Sequence, residues 1–244
     1  MIKEKEHNDT SLSEDKFVKY LHSKLDDKVL DFVEVLNAEL DLLVFSGVIR
    51  DFALKHNGEL RDLDLVAKRN FHQLEKLIKK FDGIKFSKNS FGGYKLKISN
   101  ICVDIWNAED TWALKEQKIQ NCIFMEEDLP YSCFFNFSSI VFDIKRNKFI
   151  KSKKFNEFLK NKTLDIVLED NPYPELCIIN TFYYKDKYDL RISANLKKYL
   201  KANFYNIPQD KYEKIQIKHF NKVIYSHDML KNRVNKLGKH THPA

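Results

Sequence analysis

Hydrophobic and polar positions alternate along this chain in blocks whose period switches between that of a helix and that of a strand. Phe17, Val18, Leu21 and Leu25 recur at helical spacing behind Ser11-Leu12-Ser13-Glu14, which has capping-box form and predicts a helix start. Val29 to Leu40 repeats the pattern with Leu30, Phe32, Val33, Val35 and Leu36. Asp41 to Phe45 is then a short apolar run, the mark of a strand buried on both faces. After Ser46-Gly47, helical spacing returns over Val48 to Lys55. Past a polar loop at 55–61, Leu60 to Val66 alternates, with Leu63 and Leu65 on one face and Asp62 and Asp64 on the other. Phe71 to Phe81, with Leu74, Leu77, Ile78 and Phe81 on one side, predicts a crossover helix. Asn89 to Asn107 reads as two strands joined at Ser99-Asn100. In the second of them Ile101, Val103 and Ile105 face one way, and Cys102, Asp104 and Trp106 the other. Trp106 to Leu114 reads as a turn into a short helix with Trp112 as a core anchor, and Phe134 to Ile144 as an apolar strand. From Phe149 the character changes to short basic helices, ending with Ile192–Phe204 (Leu196, Tyr199, Leu200) and Gln209–Leu237 (Ile215, Phe220, Val223, Ile224, Leu230).

The chemistry gathers in the first half. Ser46-Gly47 is a pair of small residues where backbone can approach a ligand closely. The free N–H groups of the following helix start face that turn, an arrangement that binds phosphate, and Arg50 adds positive charge. Carboxylates side by side at Asp62 and Asp64 repel each other unless a cation sits between them. They are hard oxygen ligands suited to Mg²⁺. Together these parts are equipment for moving a nucleotidyl group; the alternative is a solvated edge strand with surface acids. Asp104 is an acid within an otherwise apolar strand, costly to bury unless it pairs with a nearby lysine or binds metal. Gly92-Gly93 marks either a bulge or a close approach to a nucleotide.

SGVIRD followed by RDLDLV resembles the head domain of class II CCA-adding enzymes and bacterial poly(A) polymerases, within the DNA polymerase beta nucleotidyltransferase superfamily. The family pattern is Gly-Gly-x-Val-Arg-Asp, a short helix, then Asp-x-Asp in an apolar strand. Ser46 stands at the first Gly, Gly47 at the second, and Arg50-Asp51 at the Arg-Asp pair. The resemblance implies an α/β (α+β) nucleotidyltransferase fold, a small mixed sheet flanked by helices and followed by a small helical C-terminal region. On that reading residues 1–40 are helices packing on the head, 41–150 the head, and 151–244 a basic helical domain. It also implies that Asp62, Asp64 and Asp104, the last as a third carboxylate from a neighbouring strand, hold two Mg²⁺ ions, or Mn²⁺ in their place. Ser46 and Gly47 would cradle the phosphates of an NTP, Arg50 would bond to them, and Asp51 would brace Arg50 or the loop. A hydroxyl would attack the α-phosphate and release pyrophosphate.

Two departures bear on substrate. Where the family has Arg-Arg-Asp-Phe-Thr-Ile-Asn-Ala, Phe135 and Phe142-Asp143 keep the outline, but Ser132-Cys133-Phe134 replaces Arg-Arg-Asp and the Asn falls near Ser138. The family's base-selecting Glu-Asp-x-x-Arg-x-x-Arg element falls on DNPYPELCIINTF, which lacks the arginines, so the choice of NTP is open. An RNA 3′ end is the acceptor the family implies. A protein or small-molecule acceptor, as in a toxin or defence enzyme, and a non-catalytic RNA-binding module are the alternatives.

Composition sharpens this only slightly. In 244 residues, charged residues are 32% and hydrophobic ones 43%, as in an ordinary globular protein. Within these 244 residues the tRNA-gripping body and tail of the family are not expected. The formal charge of +7 and a pI near 9.0 favour an acidic partner such as RNA. Lys145-Arg146 and Lys151–Lys154 form a basic run, either a phosphate-backbone track or a solvated face. Cys102, Cys122, Cys133 and Cys177 form no C-x-x-C pair and read as buried thiols of a reducing compartment. The histidines lack zinc spacing, with His240 and His242 in a polar tail. No apolar run approaches the roughly 18 residues of a membrane span. The charged first residues do not form a signal peptide, so a cytoplasmic protein is expected.

Overall fold

The computed structural model describes residues 12–89, 92–119, 122 and 125–238. Two helices open it, α1 (Glu14–Lys24) and α2 (Asp27–Leu40). The cap of α1 is Ser13, whose hydroxyl accepts from the Lys16 N–H; Ser11 lies outside the described residues. Asp26 caps α2 by accepting from the Val29 N–H at 3.0 Å, and Asp41 ends it in the left-handed region at φ 48°. Caps of this kind each contribute about 1 kcal/mol. Then come β1 (Leu42–Phe45), α3 (Gly47–Ala53), β2 (Asp62–Ala67), a 3₁₀ turn at Phe71–Gln73 and α4 (Leu74–Ile78). The helix expected over Phe71–Phe81 is therefore cut short, beginning as a 3₁₀ turn after Asn70 in the left-handed region.

Next are β3 (Lys85–Lys88), β4 (Tyr94–Ile98) and β5 (Ile101–Asn107), then the one-turn helices α5 (Trp112–Lys115) and α6 (Met125–Asp128). Two strands follow, β6 (Ile140–Asp143) and β7 (Lys148–Lys151). The strand expected from Phe134 forms only over β6. Before it the chain makes a 3₁₀ turn at Asn136–Ser138, where the buried Asn136 amide donates to the Thr163 carbonyl and accepts from the Asp165 N–H. The C-terminal part holds α7 (Lys153–Asn161), β8 (Thr163–Leu164), α8 (Pro174–Tyr188), β9 (Arg191–Ile192), α9 (Ala194–Phe204), α10 (Gln209–Phe220) and α11 (His227–Lys236).

The main sheet has seven strands in the order β3-β4-β5-β2-β1-β6-β7. Only the β2–β5 pair within it is parallel, which requires the crossover through α4 and β3–β4. One face, bearing Val44, Leu63, Leu65, Val103, Ile105 and Phe142, packs on the opening helices in the main core. Phe17 of α1 is fully buried, its ring 4.9 Å from Phe142, 5.2 Å from Phe149 and 5.4 Å from Phe52. The other face is divided. At one end Leu43, Val66 and Val141 form a small cluster with Ala108 and Leu129, packed on by Trp106 rather than the expected Trp112. The other end carries the acids.

Three further expectations change. β3 and β7 were not legible, and the basic stretch beginning at Phe149 starts as an edge strand rather than a helix. Gly93 is a close backbone approach within the sheet: a Cβ there would lie 2.9 Å from the Ile105 carbonyl oxygen and 3.1 Å from the Trp106 Cβ. All four cysteines are free, but Cys122 is exposed rather than buried. Among the described residues no helix is long and apolar enough to cross a membrane. Phe17→Ala is expected to cost about 3–5 kcal/mol in urea unfolding, the range for emptying a buried aromatic site.

Candidate active site

The bend between β1 and α3 is built from Ser46 and Gly47. Ser46 is buried, with φ 29°, and its N–H donates to the Ile140 carbonyl at 3.3 Å. Positive φ favours glycine, so a serine here holds backbone strain. The first helical bond of α3 runs from the Arg50 N–H to the Ser46 carbonyl at 2.8 Å, leaving the N–H groups of Gly47 to Ile49 ahead of it. A Cβ built on Gly47 would lie 3.7 Å from Asp64 Oδ2, so the bend and this carboxyl are neighbours.

The acids come from the parallel pair. In register, Asp62 lies opposite Cys102 and Asp64 opposite Asp104. Alternation then sets Asp62, Asp64 and Asp104 on one face of two strands about 4.8 Å apart. Burial, together with the charges of Asp104 and Asp62, pushes Asp64 up to about 7, against the opposing pull of Arg50 and Lys95. Asp104 is also raised, chiefly by burial, with Lys95 working the other way. Its Oδ1 is enclosed with no hydrogen-bond partner, while its Oδ2 lies 3.3 Å from Lys95 Nζ. The lysine-paired alternative for Asp104 is thus realised in this structure. Among the described residues no three His, Cys, Asp or Glu side chains stand close enough together to ligate one ion as they are.

Arg50 is turned away from the role expected of it. Its Nε donates to Asp51 Oδ1 at 3.1 Å, and its guanidinium lies 5.0 Å from the Tyr184 ring centre, 5.3 Å from Phe137 and 5.7 Å from Tyr188. Tyr188 donates its hydroxyl to the same Asp51 oxygen at 2.6 Å. Only 14% of the Arg50 side chain is exposed. Arg50 and Asp51 therefore tie α3 to α8, and Arg50 acts on Asp64 through its charge rather than by facing solvent. Asp51 does brace Arg50.

Sequence reasoning missed Lys95, the Tyr184–Tyr188 clamp and His219. Of these, only the i, i+4 spacing of the tyrosines carried a signal. His219, on α10, loses proton affinity by burial, while the charge of Asp62 pulls it up and that of Lys95 pushes it down. The window expected to select the base forms the start of α8, where Asn180 Oδ1 is the other enclosed side-chain oxygen without a partner among the described residues. The basic run is partly neutralised: Lys145 pairs with Asp41, Arg146 with Glu126 and Asp143, and Lys154 donates to the Ile166 carbonyl. A cavity of about 660 Å³ lies on the opposite face, beneath Leu63 and Leu65 and bordered by α1 and α2, away from the acids.

The seven-stranded sheet, with its Asp-x-Asp strand beside the Ser-Gly bend and helices around it, has the nucleotidyltransferase fold of solved CCA-adding enzyme structures. The chain is similar to a CCA-adding enzyme in complex with CTP, with a TM-score of 0.64 and 18% identity over 90% of this chain and 54% of that one. It is similar to the Thermotoga maritima CCA-adding enzyme complexed with tRNA, at a TM-score of 0.62 and 17% identity over 90% and 53%. A tRNA nucleotidyltransferase complexed with a primer tRNA and an ATP analogue matches at a TM-score of 0.58 and 18% identity, over 77% and 55%. The chain thus spans about half the length of the structures it matches, and shares their fold. No protein-family model and no curated protein matches the sequence.

Two outcomes follow from this geometry. Because Asp64 holds its proton more tightly folded than unfolded, its contribution to stability is present at low pH and lost as pH rises from 3.8 to about 7. In chelator, unfolding free energy should fall across that window, and Asp64→Asn should flatten the slope. At the bend, Ser46→Gly should keep or gain stability, whereas β-branched Ser46→Val should lose at least about 1 kcal/mol in thermal unfolding.

Proposed function

We propose that this chain transfers a nucleoside monophosphate from an NTP to a hydroxyl acceptor, with an RNA 3′ end as the acceptor. The observation that carries the reading is the pairing of Asp64 with Asp104 in register, beside the Ser46-Gly47 bend. The Ser46 hydroxyl and the Gly47 N–H take the phosphates, aided by the N–H groups of the first turn of α3. Asp62, Asp64 and Asp104 are the residues that would hold two Mg²⁺ ions, or Mn²⁺. The donor set suits them: hard carboxylate oxygens, one of them on Asp104 enclosed without a partner. Bound there, such ions supply Lewis acidity toward the phosphates and the attacking hydroxyl. Asp104, with its raised proton affinity, orients the acceptor hydroxyl and receives its proton. The acceptor oxygen bonds to the α-phosphorus as the bond to the bridging oxygen breaks, and pyrophosphate leaves.

The solved neighbours bound to CTP, to tRNA and to an ATP analogue support an NTP and an RNA as the substrates, and the net charge of +7 supports an acidic acceptor. Arg50 and Asp51 serve as positioning residues, holding α3 against α8. With no arginines in the base-selecting window, the NTP used is a property to be measured. A binding module that kept the fold without the chemistry is the second reading, favoured by the Lys95 contact on Asp104.

Incubation with Mg²⁺, each labelled NTP and total cellular RNA and protein separates the two. Label is expected in RNA with the native chain. Asp64→Asn should lose more than the about 10–100-fold that removal of an outer-shell partner costs, while keeping its fold by circular dichroism. Full incorporation by that variant would refute the assignment; RNA binding with no incorporation by any NTP would establish the second reading.

A further inference from the structure

Lys95 sits on β4 directly opposite Asp104 on β5, so the two side chains share the face that carries Asp62 and Asp64. Its Nζ lies 3.3 Å from Asp104 Oδ2. Among the described residues it is the one cation within ion-pair distance of any of these three acids, since Arg50 is spent on Asp51. The pair is lopsided: the Lys95 side chain is 58% exposed and that of Asp104 25%, with the second Asp104 oxygen enclosed and unpartnered. With the ammonium end in water, such a pair is held weakly. A long lysine stem can therefore leave at little cost, whereas a crowded group of carboxylates gains much from a denser positive charge.

We propose that Lys95 is the resident counter-ion of the acid cluster, holding Asp104 while no divalent cation is bound and releasing it to bind the triphosphate of the incoming nucleotide. The proposal rests on the nucleotidyl-transfer reading of the site. In the free state the ammonium on Oδ2 occupies an oxygen that an ion would take. The proposal also gives the freed lysine a destination. The charge of Lys95 is felt by Asp64, Asp104 and His219, and an NTP brings the negative charge that an ion–carboxylate cluster no longer offers. Lys95 is thus an exchange residue: bound to protein in the free state and to substrate in the complex.

The two halves of this exchange carry opposite signs. Without nucleotide, Lys95→Met should tighten Mn²⁺ binding, read by electron paramagnetic resonance, about twofold to fivefold, the factor an exposed ion pair is worth. Lys97→Met is the charge-matched control: Lys97 lies two residues along the same strand and donates to the Asn100 carbonyl instead of to an acid. It should leave Mn²⁺ affinity where it is in the native chain. With Mg²⁺ present, Lys95→Met should weaken binding of non-hydrolysable NTP analogues in calorimetry, and Lys95→Arg should restore part of it. Mn²⁺ affinity in Lys95→Met that equals or falls below that of Lys97→Met overturns the exchange role. If the native chain and Lys95→Met both fail to bind Mn²⁺ while folded, the acid site itself is refuted, and the exchange role falls with it.

Discussion

Like charges held side by side in a partly dehydrated place govern this molecule. Asp64 and Asp104 face each other across the parallel seam of β2 and β5, with Asp62 two residues away on the same face. Nothing about folding favours that arrangement. The apolar side of the same strands does: Leu63, Leu65, Val103 and Ile105 are essentially fully buried against the opening helices. With a strand period of two, burying those four residues forces the acids together on the other face. The core thus offsets an electrostatic cost that the acid site retains, and burial together with the neighbouring acids raises the proton affinity of Asp64.

Around that seam the remaining parts serve to hold geometry. The bend at Ser46 brings Gly47 against Asp64, at the expense of a serine in the positive-φ region. Arg50 lies within a cage of Phe137, Tyr184 and Tyr188 and bonds to Asp51, so α3 and α8 are joined by a charge buried among ring faces. Such contacts are worth more when water is excluded, up to about 2 kcal/mol. A buried network also clusters beyond the small apolar patch: Asp143, fully buried, is held by Lys68 at 2.8 Å and by Arg146. It fixes β6 beside β1 and leaves Lys68, itself nearly buried, little freedom to meet a partner.

Local pattern and tertiary contact divided the work unevenly. The alternation at 62–66 and 101–106 was readable because side-chain direction in a strand is set by the backbone of that strand alone. Helices α1, α2 and α9 were readable for the same reason at their own period. The segment expected over Gln209–Leu237 instead divides into α10 and α11 after Asn221 turns left-handed, and Val223 is exposed in the break. β3 was not, since Lys85-Phe86-Ser87-Lys88 is largely exposed and carries no apolar stripe. The helix expected over Phe71–Phe81 is shortened at its start, where Asn70 in the left-handed region opens a 3₁₀ turn, and it ends at Ile78. Trp112 gave way to Trp106 as the ring of the small cluster, which depends on what covers the sheet there and not on either tryptophan's neighbours in sequence.

Before any coordinates, the residue order determined which side chains share a face: Asp62 with Asp64, and Asp104 opposite to Ile101, Val103 and Ile105. It also determined the bend, because only small residues occupy Ser46-Gly47. Tertiary structure alone decided that Asp104 stands next to Asp64, that Lys95 is on it, and that Arg50 points into a cage of rings. Those are facts of register and packing between segments far apart in the chain, set by how buried surfaces match one another, and a pattern with a period of two or of 3.6 residues holds no information about its partner strand.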